Sequence, residues 1–516
     1  MVRPFDFGGV HLTAGGREVP ATAESGTPFC VAILGDLSGR TSCGPCEPGS
    51  LASRRQTLID RDNFDEVLSK LSPKIQLRIG TADPVELRFS ELDDFHPDRL
   101  FACDALFQRL RSIRSRLQDP AGFAAVAKEL GLGGGRLSPP KQQASGRPPS
   151  AAAAAPQLAA GSLLDQTIEQ TEAEVSGGRH ERTPDKLREF VRRVTEPHLT
   201  ASQDPRLGEV QEAIDRALSA QMRAVLRAPD FQALEAAWRA VFLLVRRIET
   251  SSELKLYLID ISKEELAADL QSSDLRGTGV YRLLVEKSVG TPGADPWAVI
   301  AGNYTFGPER EDAELLGKLA KIAAAAGAPF LAAASPRLLG CTSLAATPEP
   351  RDWQPLQDAE GAAAWAALRR LPEASSVGLA LPRFLLRLPY GRSTDRIESF
   401  AFEEMPDKPA HEHYLWGNPA FGCALLLAQS FSENGWQSRP AIHSTLDGLP
   451  LHVYRQNGES ILQPCAEALL TELAAEQILE AGLMPLVSLK GRDVARLVRF
   501  QSIAKPLQAL AGRWNQ

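Results

Sequence analysis

The chain has no apolar run long enough to cross a bilayer. Its most apolar stretch, Ile322 to Ser335, is short, alanine-rich and broken by Pro329, whereas a spanning helix needs about 20 consecutive apolar residues. Residues 1–25 hold no apolar core and carry Asp6, Arg17, Glu18 and Glu24. A secretory leader is therefore not expected, and the chain reads as cytoplasmic, without membrane insertion. Cysteine is sparse, with seven residues at 30, 43, 46, 103, 341, 423 and 465. An odd and mostly scattered set fits reduced thiols rather than a disulfide framework. Catalytic signatures are missing too: there is no Gly-x-Ser-x-Gly elbow and no His-Glu-x-x-His helix. Gly131-x-Gly-Gly-Gly135 lacks the Lys-Ser or Lys-Thr of a phosphate cradle and runs into Pro139-Pro140. The chain reads as a non-enzyme with no catalytic, cofactor-binding or metal-binding residues. Its formal charge of −7 argues against nucleic acid as a partner, because phosphate binding needs clustered cations.

What is present is a division. At 516 residues the chain exceeds the size at which one core keeps growing, so at least two domains are expected. Residues 132–160 contain three charges and no aromatic residue, and 20 of the 29 are Gly, Pro, Ala or Ser. Such a segment cannot bury enough apolar surface to offset its ordering entropy, and reads as a flexible linker. The expected organisation is a tail at 1–24, a small domain at 25–131, the linker, and a larger domain at 161–516. The last divides into a helical section at 161–250 and an α/β core at 251–516.

In the small domain, Phe29-Cys-Val-Ala-Ile-Leu34 is a buried-strand pattern, and Ile75–Ile79 with Val85–Phe89 alternate as an antiparallel pair. Asp62 is a candidate N-cap for a helix to Leu71, and a helix from about Pro97 to Leu117 follows. In the large domain, Val210 to Val225 and Phe231 to Val245 mark two long helices, Asp230 being able to cap the second. Apolar runs at Leu254–Leu258, Trp297–Ala301, Phe330–Ala334 and Val377–Leu381 alternate with helical patterns at Ala313–Ala326 and Ala362–Arg370. The fold class expected is α/β (α+β), with mixed sheets.

Two motifs tempt a chemical reading. Cys43-Gly-Pro-Cys46 matches thiol-disulfide oxidoreductases, whose first thiol sits at a helix N-terminus. Here Glu47-Pro48-Gly49-Ser50 follows, which reads as loop. His411-x-His413 has no third ligand at finger-like spacing and reads as exposed loop histidines.

Other strings are more specific. Before the linker stand Phe29 to Arg40, Arg55-Gln-Thr-Leu-Ile-Asp-Arg-Asp-Asn-Phe-Asp-Glu-Val-Leu68 and Leu92-Asp-Asp-Phe-His-Pro-Asp98. After it stand Phe231 to Arg239, Asn303-Tyr-Thr-Phe306, Leu381-Pro-Arg-Phe-Leu-Leu-Arg-Leu-Pro-Tyr-Gly391, Tyr414-Leu-Trp-Gly-Asn418 and Gln501-Ser-Ile-Ala-Lys-Pro506. The first group resembles the small subunit (TssB/VipA-like) of the type VI secretion contractile sheath, and the second its large subunit (TssC/VipB-like). The resemblance implies a fused structural protein that self-assembles around an inner tube, meets baseplate components, and contracts to propel the tube. It marks Asp94, Phe95, Pro97, Trp238, Arg239, Pro382, Arg383, Arg387, Pro389, Tyr390 and Trp416 as motif and packing residues. Arg383 and Arg387 need partners, either across a subunit junction or within one domain. It also implies an AAA+ unfoldase (ClpV-like) as partner, gripping the helix Ser162–Glu172 through Leu163, Leu164 and Ile168. The family's large subunit continues beyond its Gln-Ser-x-x-Lys-Pro segment, whereas this sequence ends ten residues after Pro506. That departure motivates the alternative of a specialised cap, baseplate or assembly factor built from sheath parts. A thiol-disulfide oxidoreductase using Cys43 and Cys46 is the alternative from a different class.

Overall fold

The structure is a computed structural model that describes residues 5–9, 23, 26–43, 51–78, 84–117, 205–406, 409–437 and 443–514. The expected linker, the helix with Leu163, Leu164 and Ile168, and Cys46 all lie outside the described residues, as does the side chain of Cys43. The chain forms two compact units: residues 1–108 with 215–516, and residues 109–214. In the second, the described residues are the ends of two helices, Asp104–Leu117 and Pro205–Leu226. There the Gln211 amide donates to the Leu117 carbonyl at 3.4 Å.

The first unit is built on strands β1 (Phe29–Gly35), β2 (Thr57–Ile59), β3 (Lys74–Leu77), β4 (Val85–Arg88), β5 (Leu254–Asp260), β6 (Trp297–Phe306), β7 (Phe330–Ala334) and β8 (Val377–Leu381). They are followed by β9 (Phe384–Leu385), β10 (Trp416–Gly417), β11 (Thr445–Leu446), β12 (His452–Gln456), β13 (Glu459–Gln463), β14 (Met484–Ser488) and β15 (Ala495–Leu497). Nine strands make one mixed sheet in the order β11-β15-β14-β8-β7-β6-β1-β5-β2. From β14 to β5 the pairing is parallel, and β2, β15 and β11 add antiparallel borders. The α+β reading with a mixed sheet holds.

The sequence division does not carry over into space. β1, from the N-terminal segment, lies between β5 and β6 of the C-terminal one, in register with β5 from Phe29–Leu254 to Gly35–Asp260. All seven of its residues are buried, because a parallel strand covered on both faces needs a continuous apolar run. Phe29-Cys-Val-Ala-Ile-Leu34 supplies one. The β3–β4 hairpin stays apart as a two-stranded sheet, paired as the alternation predicts.

Helix boundaries follow local chemistry, with three corrections. The helix expected from Asp62 begins at Phe64 behind Asn63, because Asp60 Oδ1 accepts from the Asp62 and Asn63 amides and holds them in a turn. The helix expected from Pro97 to Leu117 is two, Pro97–Ala102 and Asp104–Leu117, separated by Cys103 in an extended conformation (ψ 114°). The helix expected to be capped by Asp230 starts at Pro229, whose missing N–H suits the first position. Asp230 then sits in the first turn, favourable to the helix dipole. Helices Arg310–Ala326 and Pro419–Asn434 cover the sheet; Gly327 ends the first in the left-handed region (φ 68°), and Asn418 caps the second through the Ala420 amide.

Candidate functional site

The motif residues converge where the two sequence segments meet. Phe231, Leu234, Trp238 and Val241 form the buried stripe of helix Pro229–Arg247. Trp238, fully buried, donates its indole N–H to the Leu37 carbonyl at 2.8 Å, just beyond β1. Phe64 of the Arg55–Leu68 motif stands edge-on to Trp238 at 5.8 Å. Phe89 and Phe95 stack at 4.1 Å and meet the Phe231 ring edge-on at 6.0 and 5.7 Å. Such contacts add about 0.5–1.5 kcal/mol each beyond area burial.

The string Leu92–Asp98 is a joint. Asp94 closes its turn by accepting from the Ser90 amide and hydroxyl at 2.7 and 2.8 Å. Phe95 and Pro97 are buried, and His96 lies edge-on to Tyr390 at 5.0 Å. The Asp98 carboxylate accepts from the Glu398 amide at 3.0 Å, the Ser399 amide at 2.9 Å and the Ser399 hydroxyl at 2.6 Å. Burial works to raise its pKa, but those hydrogen bonds win and hold it below the ordinary carboxylate value.

Beside this joint lies a buried ion network. Arg387 bridges Glu235 and Glu404 at 2.8 Å each, and its guanidinium lies 4.2 Å from the Tyr390 ring centroid. Arg239 pairs with Glu235 at 2.7 Å and donates to the Tyr390 hydroxyl at 2.9 Å. Glu404 also accepts from the Tyr390 amide at 2.8 Å. Two cations face two carboxylates, and each charge is hydrogen-bonded, which makes burial of four ions tolerable. Desolvation opposes the charge on Glu235, yet Arg387 and Arg239 keep its pKa below the usual range. Burial pushes the Tyr390 hydroxyl up to about 12 despite both arginines. A Cβ on Gly391 would meet the Glu403 carboxylate, the far end of a flexible side chain that would have to swing aside.

Arg383 behaves differently. Its side chain is 46% exposed and forms a two-pronged pair with Glu467, while Pro382 and Pro389 are buried around it in sequence. His411, expected to be an exposed loop residue, instead reaches Glu467 at 2.9 Å and stacks on Trp416 at 5.1 Å. The adjacent Trp416 indole donates to the His411 carbonyl at 2.9 Å, which fixes the turn. The Glu467 pKa is about 2: burial would raise it, but hydrogen bonds from His411 and Arg383 and their charge outweigh that. A carboxylate lowered in the folded state contributes stability that is complete above the ordinary value of 4.5 and is lost as pH falls through about 2. Urea unfolding midpoints measured at pH 6 and pH 3 should therefore drop further for the parent than for Glu467→Gln. Equal drops would show that the pair has no such role.

The arrangement holds position; its acids and bases are spent on one another. Burial pushes the thiols of Cys30 and Cys423 up to about 12 and that of Cys465 to about 11, which makes them inert. Cys43 closes the short helix Arg40–Cys43. No group of His, Cys, Asp and Glu suited to a metal ion occurs among the described residues. Glu404 and Glu467 escaped the sequence reading, whereas Asp98 and Glu235 lie inside strings quoted from it without having been singled out. Glu235 also left a local signal as the i, i+4 partner of Arg239 on a helix.

Comparison with known proteins assigns both segments. The family model described as EvpB/VC_A0108, tail sheath N-terminal domain (VipB), matches residues 209–504. The one described as type VI secretion system, VipA, VC_A0107 or Hcp2 matches residues 16–128. The type VI secretion system sheath protein TssC1 of Pseudomonas aeruginosa is 36% identical over 305 residues, 57% of this chain and 61% of that protein. The chain thus spans less than two thirds of that relative's length. With one sheath family matched before the glycine- and proline-rich segment and the other matched over more than half of the chain, this protein belongs to the tail sheath family of type VI secretion, carrying small- and large-subunit parts on one polypeptide.

Proposed function

We propose that the protein is a structural subunit of the contractile sheath of a type VI secretion system. Copies assemble with one another around an inner tube in the cytoplasm, meet baseplate components, and shorten to drive the tube outward without covalent chemistry. The observation that carries this reading is the insertion of β1 between β5 and β6, which makes one building block of two sheath-family segments. Fusion replaces a bimolecular pairing by an intramolecular one. None of the helices among the described residues is long and apolar enough to cross a membrane, which agrees with assembly in an aqueous compartment. Electron microscopy of the purified protein should reveal rings or fibres. A stable monomer that never co-purifies with tube or baseplate proteins would sink the reading.

We further propose recycling by an AAA+ unfoldase, from the sequence of Ser162–Glu172 alone, in which Leu163, Leu164 and Ile168 have the spacing of an apolar helix face. Leu164→Asp should abolish unfoldase binding in a pull-down while leaving the thermal unfolding midpoint unchanged. Undiminished binding by that variant would remove the unfoldase from the scheme.

A further inference from the structure

Residues 5–9 lie ahead of the stretches that either sheath family matches, yet they are seated on helix Arg310–Ala326. Phe5 and Phe7 pack half-buried against the core. The Arg310 guanidinium lies 5.1 Å from the Phe5 ring centroid. Between the two rings, Asp6 pairs with Lys318 at 3.1 Å, and its amide donates to Glu314 at 3.3 Å. Lys321 donates to the Gly8 carbonyl. The Gly9 amide donates to the Ser273 carbonyl at 2.7 Å, and the Gly9 carbonyl accepts from the Leu275 amide at 3.2 Å.

The seat is shaped for this string. Gly317 stands in the helix interior, where glycine is unfavourable relative to alanine. A Cβ there would lie 2.3 Å from the Phe7 ring, so the absent side chain is the notch that takes the ring. The Lys318 side chain is 8% exposed, and a buried ammonium is costly without an anion. Asp6 brings the carboxylate, beside the Leu270 carbonyl at 2.8 Å. Gly8 then turns the chain at φ 66°, where a Cβ would also crowd Leu275.

We propose that this face of the helix is a recognition site for aromatic–Asp–aromatic–Gly peptides. Residues 5–9 are its resident ligand and close it to a partner segment of the same chemistry until that segment displaces them. The resident is open to displacement. Asp6 is 43% exposed, and its backbone joins the body through the single bridge Gly9–Asp274 among the described residues. A tethered ligand acts at an effective concentration in the millimolar range, which sets what a competitor must reach.

The test uses the full chain and acetylated Phe-Asp-Phe-Gly-Gly carrying fluorescein at its C-terminus, read by anisotropy. The double variant Asp6→Ala, Phe7→Ala empties the seat and should bind the peptide at least tenfold tighter than the parent does. Adding Gly317→Ala, which fills the notch, should abolish that binding. Phe-Asn-Phe-Gly-Gly should bind at least tenfold more weakly than the aspartate peptide. A second measurement needs the parent alone: hydrogen exchange of residues 5–9, followed by mass spectrometry, should quicken with millimolar unlabelled aspartate peptide and not with the asparagine one. No binding to the double variant, or equal affinity for it and the parent, would overturn the proposal. Equal binding of the two peptides would overturn recognition of the carboxylate. Self-association of the parent that the peptide dissolves would overturn the intramolecular seat in favour of exchange between copies.

Discussion

A chain cut within residues 132–160 should run as one species in gel filtration, while residues 205–516 expressed alone should fail to fold. β1 is buried along its whole length and pairs with β5 on one side and β6 on the other. Removing it strips the inner edges of both neighbours and empties the centre of the sheet. Each buried backbone group left without a partner costs about 1–3 kcal/mol. Seven positions pair with β5 and five with β6, so the loss, on the order of 12–36 kcal/mol, matches or exceeds the roughly 5–15 kcal/mol by which a domain is stable. The Trp238 indole would also lose the Leu37 carbonyl. A protease site placed near Ala152 provides the cut, and size-exclusion chromatography in native buffer reads the outcome. Separation of the two pieces, or a soluble 205–516 fragment with a cooperative melt, would contradict the interleaved sheet.

Arg387→Met should be the most damaging single substitution in the ion network, costing roughly 3–5 kcal/mol. The side chain is 9% exposed and its partners Glu235 and Glu404 are 0% and 1% exposed. Methionine fills comparable volume but leaves Glu404 without its cation and Glu235 with Arg239 alone. Arg387→Lys should recover only part of the loss, because a point charge cannot serve both carboxylates with the geometry of a planar fork. Arg383→Met is the internal comparison: its side chain is 46% exposed, and its partner Glu467 keeps His411 at 2.9 Å, so the loss should be smaller than for Arg387→Met. Urea titrations of the three variants check the order. Parent-like stability in Arg387→Met would mean that the network is not what closes this joint.

Much of the fold was legible because its signals are local. The runs forming β1, β5, β6, β7 and β8 are apolar stretches bounded by turns, and the stripe on helix Pro229–Arg247 has a clear period. What escaped is what is decided at a distance. Nothing around Phe29 says that its strand will pair with Leu254 and Trp297, more than 200 residues away. The break at Cys103 carries neither proline nor glycine. β2, β9 and β10 are only two or three residues long, too short to show alternation. Among the site residues, Arg387 and Trp238 stood out through the strings they belong to. Glu404 lies in an irregular stretch after Phe402, and Glu467 follows two small residues. Their importance comes from the arginines they face, which chain order does not reveal.

The place of β1 also sets a timetable for synthesis. It leaves the ribosome some 270 residues ahead of the end of β6, and at about 5–20 residues per second that interval is roughly 15–50 s. Until β5 emerges, ending at Asp260, a seven-residue strand of uninterrupted apolar character has neither neighbour, and the middle of the sheet cannot close before β6 follows. Folding at the centre of this unit is therefore a late event governed by translation speed, and the nascent N-terminal strand is the natural client of a holding chaperone. Slowing elongation between residues 35 and 297 should lengthen that exposure in proportion and lower the soluble yield.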